Sequence, residues 1–183
     1  NATKLPKIYL IHGDLSNTDM NELYNHPKVK SFISLTRGEG FGRPLLEFSL
    51  TNKPIIASAW SGQLDFLDKE FTALVGGKLE KLHPSSQIKD MLINESEWFA
   101  PDHAHIKQAM TDVVKNYKQW LVKGKRQGFK SRENFNFESM KGKLNSILDS
   151  NVPKLAKKME LNLDGIKSIK LPKKTTKKSK VNV

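Results

Sequence analysis

The chain has 183 residues, a formal net charge of +12, 37% hydrophobic residues and no cysteine. This length suits about one domain with a real hydrophobic core. The lack of cysteine excludes disulfides and thiolate metal sites and favours a cytoplasmic location, and no apolar run approaches the roughly eighteen residues of a membrane-spanning helix.

The positive charge is concentrated at the carboxyl end of the chain. Residues 153–183 contain ten lysines against Glu160 and Asp164, a balance of +8, whereas the first 152 residues carry only +4. Segments that are rich in charge and poor in aromatic residues bury too little apolar surface to fold. We therefore predict a folded domain over residues 1–150 and a lysine-rich, largely disordered tail over residues 151–183.

The amino-terminal residues predict regular structure almost at once. Residues 7–11 (KIYLI) are a strand candidate, Ser16 or Asn17 can cap a helix over residues 19–25, and residues 29–35 predict the next strand. The chain begins at Asn1, without Met or the pattern of a signal peptide. Because its first predicted strand starts so early, we expect the sequence to be a piece of a longer protein.

Residues 31–62 predict a strand–loop–helix–strand unit. The apolar run 32–35 leads into a loop over residues 37–42 that contains three glycines, and Pro44 suits the first turn of the helix that follows. Asn52 can end this helix in the left-handed conformation, and Pro54 prevents its continuation into the apolar run 54–57. The two strands should lie parallel, which places the glycine loop at the carboxyl edge of the sheet, where open α/β sheets bind ligands.

The chemistry of that loop points to a phosphate and several hydroxyls. Gly38, Gly40 and Gly42 allow positive φ and the close approach of a ligand, and the start of a helix favours a phosphate. Glu39 and Glu47 are badly placed beside an anion, but ionised carboxylates are strong acceptors for sugar hydroxyls. Phosphate plus hydroxyls describes a nucleotide-sugar.

The following residues continue the alternation of helices and strands. Residues 63–68 predict a short helix and residues 71–75 a strand, so four short apolar strands alternate with helices as in a parallel, doubly wound sheet. Residues 78–101 have no regular pattern, and we interpret the Trp98-Phe99 pair within them as a packing anchor.

From residue 102 onward the pattern is helical. Asp102 is a plausible N-cap, Gly124 and Gly128 interrupt the helical pattern, and a last helix ends near Leu148. One apolar face is formed by Ile106, Met110, Val113, Val114, Tyr117 and Leu121. A basic cluster, which we interpret as a solvated helix face, contains Lys123, Lys125, Arg126, Lys130 and Arg132.

The segment from Glu39 to Glu47 (EGFGRPLLE) resembles the Glu-x7-Glu motif of retaining GT-B glycosyltransferases, the group related to glycogen synthases and bacterial mannosyltransferases. The run 54–58 and the Ser61-Gly62 loop also resemble that family, and the similarity extends from about Lys7 to Leu148. The resemblance implies a Rossmann-like parallel sheet with flanking helices, in the C-terminal nucleotide-sugar-binding domain of such an enzyme, incomplete at its amino terminus.

The resemblance also implies roles for individual residues. Glu47 would hold the ribose hydroxyls of the donor nucleotide, and Glu39, the catalytic candidate, would contact hydroxyls of the transferred sugar. The amides of residues 41–43 would face the diphosphate. The full set implied to bind the donor is Gly40, Phe41, Gly42, Arg43, Glu47, Ser61 and Gly62.

The implied reaction is transfer of a hexosyl group from a UDP- or GDP-type donor to an acceptor hydroxyl, with retention. It requires no cofactor and no obligatory metal, since basic side chains and helix amides stabilise the leaving diphosphate. The implied partner is an amino-terminal acceptor-binding domain that the sequence lacks, so we expect this fragment alone to be inactive.

Four other interpretations compete with this one. A dinucleotide-binding loop would need a third glycine where Leu45 stands and an acid after the second strand, and neither is present. Two glutamates could serve a glycosidase, or they could be solvated side chains beside a glycine turn. From a different class, the lysine tail could make the chain a nucleic-acid or anionic-surface binding module.

Overall fold

The structure is a computed structural model, and it describes residues 6–88, 91 and 95–153. The described chain is mixed α/β, with a three-stranded parallel sheet, flanking helices and a separate two-stranded sheet. Backbone contacts divide the chain into two units after Asn145, and the features below belong to the first unit, except that the last helix continues past this boundary to Asn151. Most of the predicted tail lies outside the described residues.

The parallel sheet contains three strands, β1 (Phe32–Ser34), β2 (Ile55–Ser58) and β3 (Ala73–Val75), in that spatial order. Both pairs are parallel, and Ile56 of the central strand lies opposite Ile33 and Ala73. All four residues of β2 are buried, as expected for a parallel strand covered on both faces. The predicted parallel arrangement of these three strands is therefore confirmed.

One helix precedes β1 and another follows it. Helix α1 (Asn17–Asn25) begins with a capping box in which Ser16 and Asp19 bond reciprocally, and α2 (Arg43–Ser49) follows the glycine loop. Asn52 has φ of 63°, which confirms the predicted left-handed residue after α2. Both helices and the cap were thus correctly predicted.

The prediction of a strand at residues 7–11 is wrong. These residues form no regular element, and Ile8 and Leu10 are each 90% exposed. A strand exists only where a neighbour accepts and donates its backbone hydrogen bonds, and no other strand of the described chain pairs with this run. Apolar composition alone therefore did not decide its structure.

The prediction of irregular structure at residues 78–101 is also wrong in part. Strand β4 (Gly77–Lys81) pairs antiparallel with β5 (Glu97–Pro101), with Leu79 opposite Phe99. All five residues of β4 are exposed, and a single large apolar side chain, Leu79, gives too weak a pattern to predict a strand. Phe99 is buried and fulfils its predicted packing role.

Three helices complete the described chain: α3 (His103–Lys115), α4 (Tyr117–Asn134) and α5 (Phe137–Asn151). The N-cap at Asp102 is confirmed, because its side chain accepts a hydrogen bond from the His105 amide at 2.9 Å. The apolar pattern from Ile106 to Leu121 does not belong to a single helix, since Asn116 is both the C-cap of α3 and the N-cap of α4. None of these helices, nor any other in the described residues, combines the length and apolarity needed to cross a bilayer.

Gly124 and Gly128 do not interrupt the helix, contrary to the prediction. Both lie inside α4, where the helix crosses the turn that follows α2. A Cβ at Gly124 would lie 2.7 Å from the Asn52 carbonyl oxygen, and one at Gly128 would lie 2.6 Å from the Ser49 carbonyl oxygen. The two glycines therefore permit a close approach of α4 to this turn, at an intrinsic cost of about 1 kcal/mol each.

The helices cover both faces of the parallel sheet. One core cluster packs α1 and α2 against one face, and its buried residues are Tyr24, Leu45, Phe48, Ile55, Ala57, Phe66 and Leu67. The other packs α3 and α4 against the opposite face, and its buried residues are Ile56, Ala73, Val75, Val113 and Trp120. Successive residues of β2 thus alternate between the two cores. Because the helices lie on the two faces, the carboxyl edge of the sheet stays available for other contacts.

Candidate functional site

Two loops meet at the carboxyl edge of the parallel sheet, one after β1 and one after β2. The Gly62 amide donates a hydrogen bond to the Glu39 carbonyl at 3.0 Å, and the Ser61 hydroxyl donates to the same carbonyl at 2.6 Å. The Glu39 amide in turn donates to the Ser61 hydroxyl oxygen at 3.1 Å. We call this contact the loop junction. It fixes the backbone of Glu39, whose side chain is half-buried.

Glycine is required at two positions of the loop junction. A Cβ at Gly62 would overlap the Gly40 carbonyl and lie 2.9 Å from the Glu39 carbonyl oxygen. Gly42 has φ of 88° and is the N-cap of α2. Gly38 and Gly40 do not adopt the predicted positive φ, but the space where their Cβ atoms would stand is open. This leaves room for another molecule beside the loop.

Phe41 has a structural role that the sequence did not reveal. Its ring centroid lies 5.2 Å from that of Phe66 and 6.2 Å from that of Phe135. The side chain thus packs against Phe66 and Phe135, and it remains 39% exposed. The contact with the diphosphate that the resemblance implies for this residue uses its backbone amide, not its side chain.

A cavity of about 610 Å³ lies between α1 and α2. Glu47 and Arg43 stand on the α2 wall, and the Arg43 Nε lies 3.0 Å from the Glu47 Oε1. The Arg43 side chain is 78% exposed and that of Glu47 is 44% exposed, so a ligand can reach both. The remaining lining residues are Leu15, Asn17, Met20, Asn21, Tyr24, Asn25, Pro44, Leu50 and Thr51.

The negative charge of Glu47 acts on Tyr24, which lies on the opposite wall of this cavity. Burial raises the pKa of the Tyr24 phenol, and the negative charge of Glu47 raises it further, while Arg43 acts in the other direction. The tyrosine therefore stays protonated and able to donate a hydrogen bond in the neutral pH range. The cavity offers an acceptor, a cation and a hydroxyl.

Lys53 holds the α1 wall in place, a role that sequence reasoning missed. Its ammonium donates to the Tyr24 carbonyl at 2.6 Å and to the His26 carbonyl at 2.9 Å, at the carboxyl end of α1. Burial, and secondarily the charge of Lys30, lower the pKa of this lysine. A cation near the carboxyl end of a helix is stabilising, because it faces the negative end of the helix dipole. No local pattern in the sequence indicated that a lysine from the turn after α2 would supply it.

The predicted site residues fall into two adjacent groups. Glu47 and Arg43 line the cavity, whereas Glu39 does not line it and lies with Gly40, Ser61 and Gly62 at the loop junction. Gly42 connects the groups, because a Cβ there would lie 3.4 Å from the Glu39 Cγ, and the next residue along the chain is Arg43 on the cavity wall.

The hairpin of β4 and β5 borders the loop junction, which the sequence did not predict. The Phe99 amide donates to the Arg37 carbonyl at 2.9 Å, and the Trp60 ring stacks on Phe99 with centroids 5.8 Å apart. The Arg37 guanidinium lies 3.8 Å from the centre of the Trp98 ring, a cation–π contact. These three contacts place an aromatic wall beside the residues that follow β1 and β2.

Comparisons with known proteins give no family assignment. A scan against protein-family models found no match, and a search of curated proteins found none either. Among the residues that the structure describes, no three His, Asp or Glu side chains are grouped to hold a metal ion. The loop junction and the cavity are therefore the features of this chain that bear on its function.

Proposed function

We propose that this chain binds a nucleotide-sugar and is the donor-binding, C-terminal domain of a retaining GT-B glycosyltransferase. The reaction would transfer a hexosyl group from a UDP- or GDP-type donor to an acceptor hydroxyl. The observation that carries the proposal is the position of Glu47, on the wall of a cavity of about 610 Å³ and paired with an exposed arginine. The resemblance of residues 39–47 to the Glu-x7-Glu motif supports it.

The Glu47 carboxylate suits a vicinal diol. A carboxylate has two oxygens with about four acceptor sites, and the Nε of Arg43, 3.0 Å from Oε1, can use only one of them. Two neighbouring ribose hydroxyls present two donors at a matching separation. Charge-assisted hydrogen bonds of this kind are roughly twice as strong as neutral ones.

Arg43 suits the diphosphate that adjoins the ribose. Its Nε holds Glu47 in place, and most of the side chain is exposed. A guanidinium carries five N–H donors in a planar fork, so the remaining donors can meet a phosphate oxygen while the pair persists. As the bond to the sugar breaks, negative charge grows on the diphosphate, and a fixed cation there stabilises the transition state.

Glu39 suits the hexose rather than the nucleotide. It lies outside the cavity, at the carboxyl edge of the sheet, and its backbone is fixed by Ser61 and Gly62. A carboxylate on a fixed backbone can hold sugar hydroxyls in one orientation, which orients the reacting carbon relative to the acceptor. In the proposal Glu47 binds the donor and Glu39 orients the group that is transferred.

The experiment compares Glu47→Gln with its matched control Glu39→Gln. Titration calorimetry with UDP and GDP should show about ten- to a hundredfold weaker binding for Glu47→Gln, because a charge-assisted bond of about 1.5–3 kcal/mol is lost. Glu39→Gln should bind the bare diphosphates almost as the parent chain does, yet bind the nucleotide-sugar more weakly. Equal losses for both variants would refute the division of roles, and no binding of either nucleotide by the parent chain would refute the proposal.

A further inference from the structure

Helix α4 has two dissimilar faces. Trp120, Gly124, Gln127, Gly128 and Ser131 are buried and form the inward face. On the opposite side, Val122 is 53% and Phe129 63% exposed. These two residues are seven positions apart, which is about two helical turns, so they lie in one line along the outer surface.

The outer surface of α4 carries an apolar groove. The groove has a volume of about 520 Å³, and its apolar lining comes from Phe71, Val122 and Phe129. The other lining residues are Lys125, Arg126, Lys130, Glu133 and Asn134. Exposed aromatic and β-branched side chains grouped in this way are uncommon on a fully solvated helix, where a polar outer face is expected.

The basic cluster of α4 is not uniformly solvated, which modifies the sequence interpretation. Lys123 lies 4.2 Å above the centre of the Trp120 ring, and Lys130 bonds Asp68 at 2.8 Å. Arg132 donates to the Leu50 carbonyl at 3.1 Å and also bonds Asn52. Three of the five cations therefore serve the fold.

The two cluster cations that remain, Lys125 and Arg126, line the apolar groove, where the Arg126 guanidinium lies 6.0 Å from the centre of the Phe71 ring. Lys118, outside the cluster, adds a further cation on the same face of α4. By helical period, Lys118 and Lys125 lie on one side of the line from Val122 to Phe129, and Arg126 lies on the other. Within the described chain none of these three is in an ion pair. Glu133 is the one acidic residue of α4, against six basic ones.

We propose that the outer face of α4 docks onto an anionic lipid surface. Long basic side chains can extend to lipid phosphates while their apolar stems and the neighbouring Val122 and Phe129 enter the acyl boundary. The ten lysines of residues 153–183 supply a second, electrostatic attraction to the same kind of surface. The helix face and the lysine-rich segment would therefore both contribute to binding the same surface.

The apolar groove distinguishes this occupant from a nucleic acid. Binding to a duplex or a single strand through lysine and arginine depends on phosphate neutralisation and gains nothing from an exposed Val122. A lipid surface uses both the cations and the apolar side chains. The inference does not depend on the proposed transferase activity, because no residue of the groove belongs to the loop junction or to the cavity.

The first experiment measures co-sedimentation of the full chain with vesicles of phosphatidylcholine, with and without phosphatidylglycerol. We expect binding only to the acidic vesicles, weakening as salt is raised. Combining Val122→Ser with Phe129→Ser should reduce the affinity about tenfold, because both side chains lose apolar burial. Val114→Ser, which removes a still more exposed apolar residue (76%) of α3, should change nothing.

A second experiment uses the absence of native cysteine. An environment-sensitive fluorophore on Phe129→Cys should shift to the blue on acidic vesicles, and the same label on Val114→Cys should not. Equal affinity of the Val122/Phe129 double variant and the parent chain would overturn the proposal, as would equal shifts at the two labels. Binding to RNA without binding to acidic vesicles would overturn it as well.

Discussion

The loop junction and the α1–α2 cavity hold their glutamates in different ways. At the loop junction three hydrogen bonds fix the backbone of Glu39, and a clash excludes any side chain at Gly62. In the cavity, Glu47 is held by one exposed ion pair with Arg43. The loop junction is therefore part of the fold, whereas the Glu47 carboxylate can change its partner at little cost to stability.

The strongest test of this difference is Gly62→Ala. The added Cβ would overlap the Gly40 carbonyl, so the two loops must separate. We expect a loss of about 3 kcal/mol in the free energy of unfolding, measured by urea titration. Gly38→Ala is the matched control, because nothing lies within 4 Å of the position of its Cβ. Equal stability of the two variants would show that the loop junction is not tightly packed.

A smaller effect is expected where Lys53 fixes the cavity wall. Lys53→Met keeps the aliphatic stem but leaves the Tyr24 and His26 carbonyls without their donor. We expect a loss of about 1–2 kcal/mol on thermal unfolding, together with weaker nucleotide binding. Lys28→Met, an exposed lysine near the same helix end, should have no effect. Unchanged nucleotide affinity in Lys53→Met would mean that the α1 wall does not shape the site.

Acid titration tests the ion pair between Asp68 and Lys130, which ties the segment that follows Gly62 to α4. The hydrogen bond from Lys130 is the main cause of the lowered pKa of Asp68, and the amide of Glu70 adds to it. The stability from this pair is therefore present above the ordinary aspartate pKa of about 3.9 and is lost as the pH falls through the lower folded value. Asp68→Asn should flatten the stability curve in that acid range by less than about 1 kcal/mol. An unchanged curve would contradict the assignment.

The smallest effect on stability is expected for Arg43→Gln. Exposed ion pairs four residues apart in a helix contribute about 0.3–0.5 kcal/mol, so thermal unfolding should barely change. Binding of UDP or GDP should nevertheless fall about tenfold, since a guanidinium facing the diphosphate is lost. If Arg43→Gln lost stability but kept its nucleotide affinity, the Arg43–Glu47 pair would be part of the fold and not of the binding site, which would contradict the comparison.

Local sequence signals predicted the part of the fold that carries the site. The apolar run 54–57 became the buried strand β2, and the φ of 63° at Asn52 agrees with its predicted role after α2. Glycine and proline have strong local effects, so they marked the loop and the helix start reliably. The two glutamates were located in this way, but their roles stay predictions.

Features that depend on distant partners were not predictable from local patterns. Strand β4 is exposed throughout and has Leu79 as its one large apolar side chain, and its partner β5 begins sixteen residues later. Gly124 locally favoured a helix break, whereas in the fold it lies inside α4 and allows the backbone of Asn52 to pack closely against the helix. The run at residues 7–11 had strand composition but no neighbouring strand in the described chain. Tertiary context decided each of these cases.

The most direct test of the central claim, that Glu47 holds the ribose hydroxyls, is a double-substitution cycle measured by titration calorimetry. The parent chain and Glu47→Gln would each be titrated with a nucleoside diphosphate and with its 2′,3′-dideoxy analogue. In the parent chain, removal of the hydroxyls should weaken binding about tenfold or more, whereas in Glu47→Gln it should have little further effect. Equal losses in both proteins would show that Glu47 and the ribose do not interact, and would contradict the account.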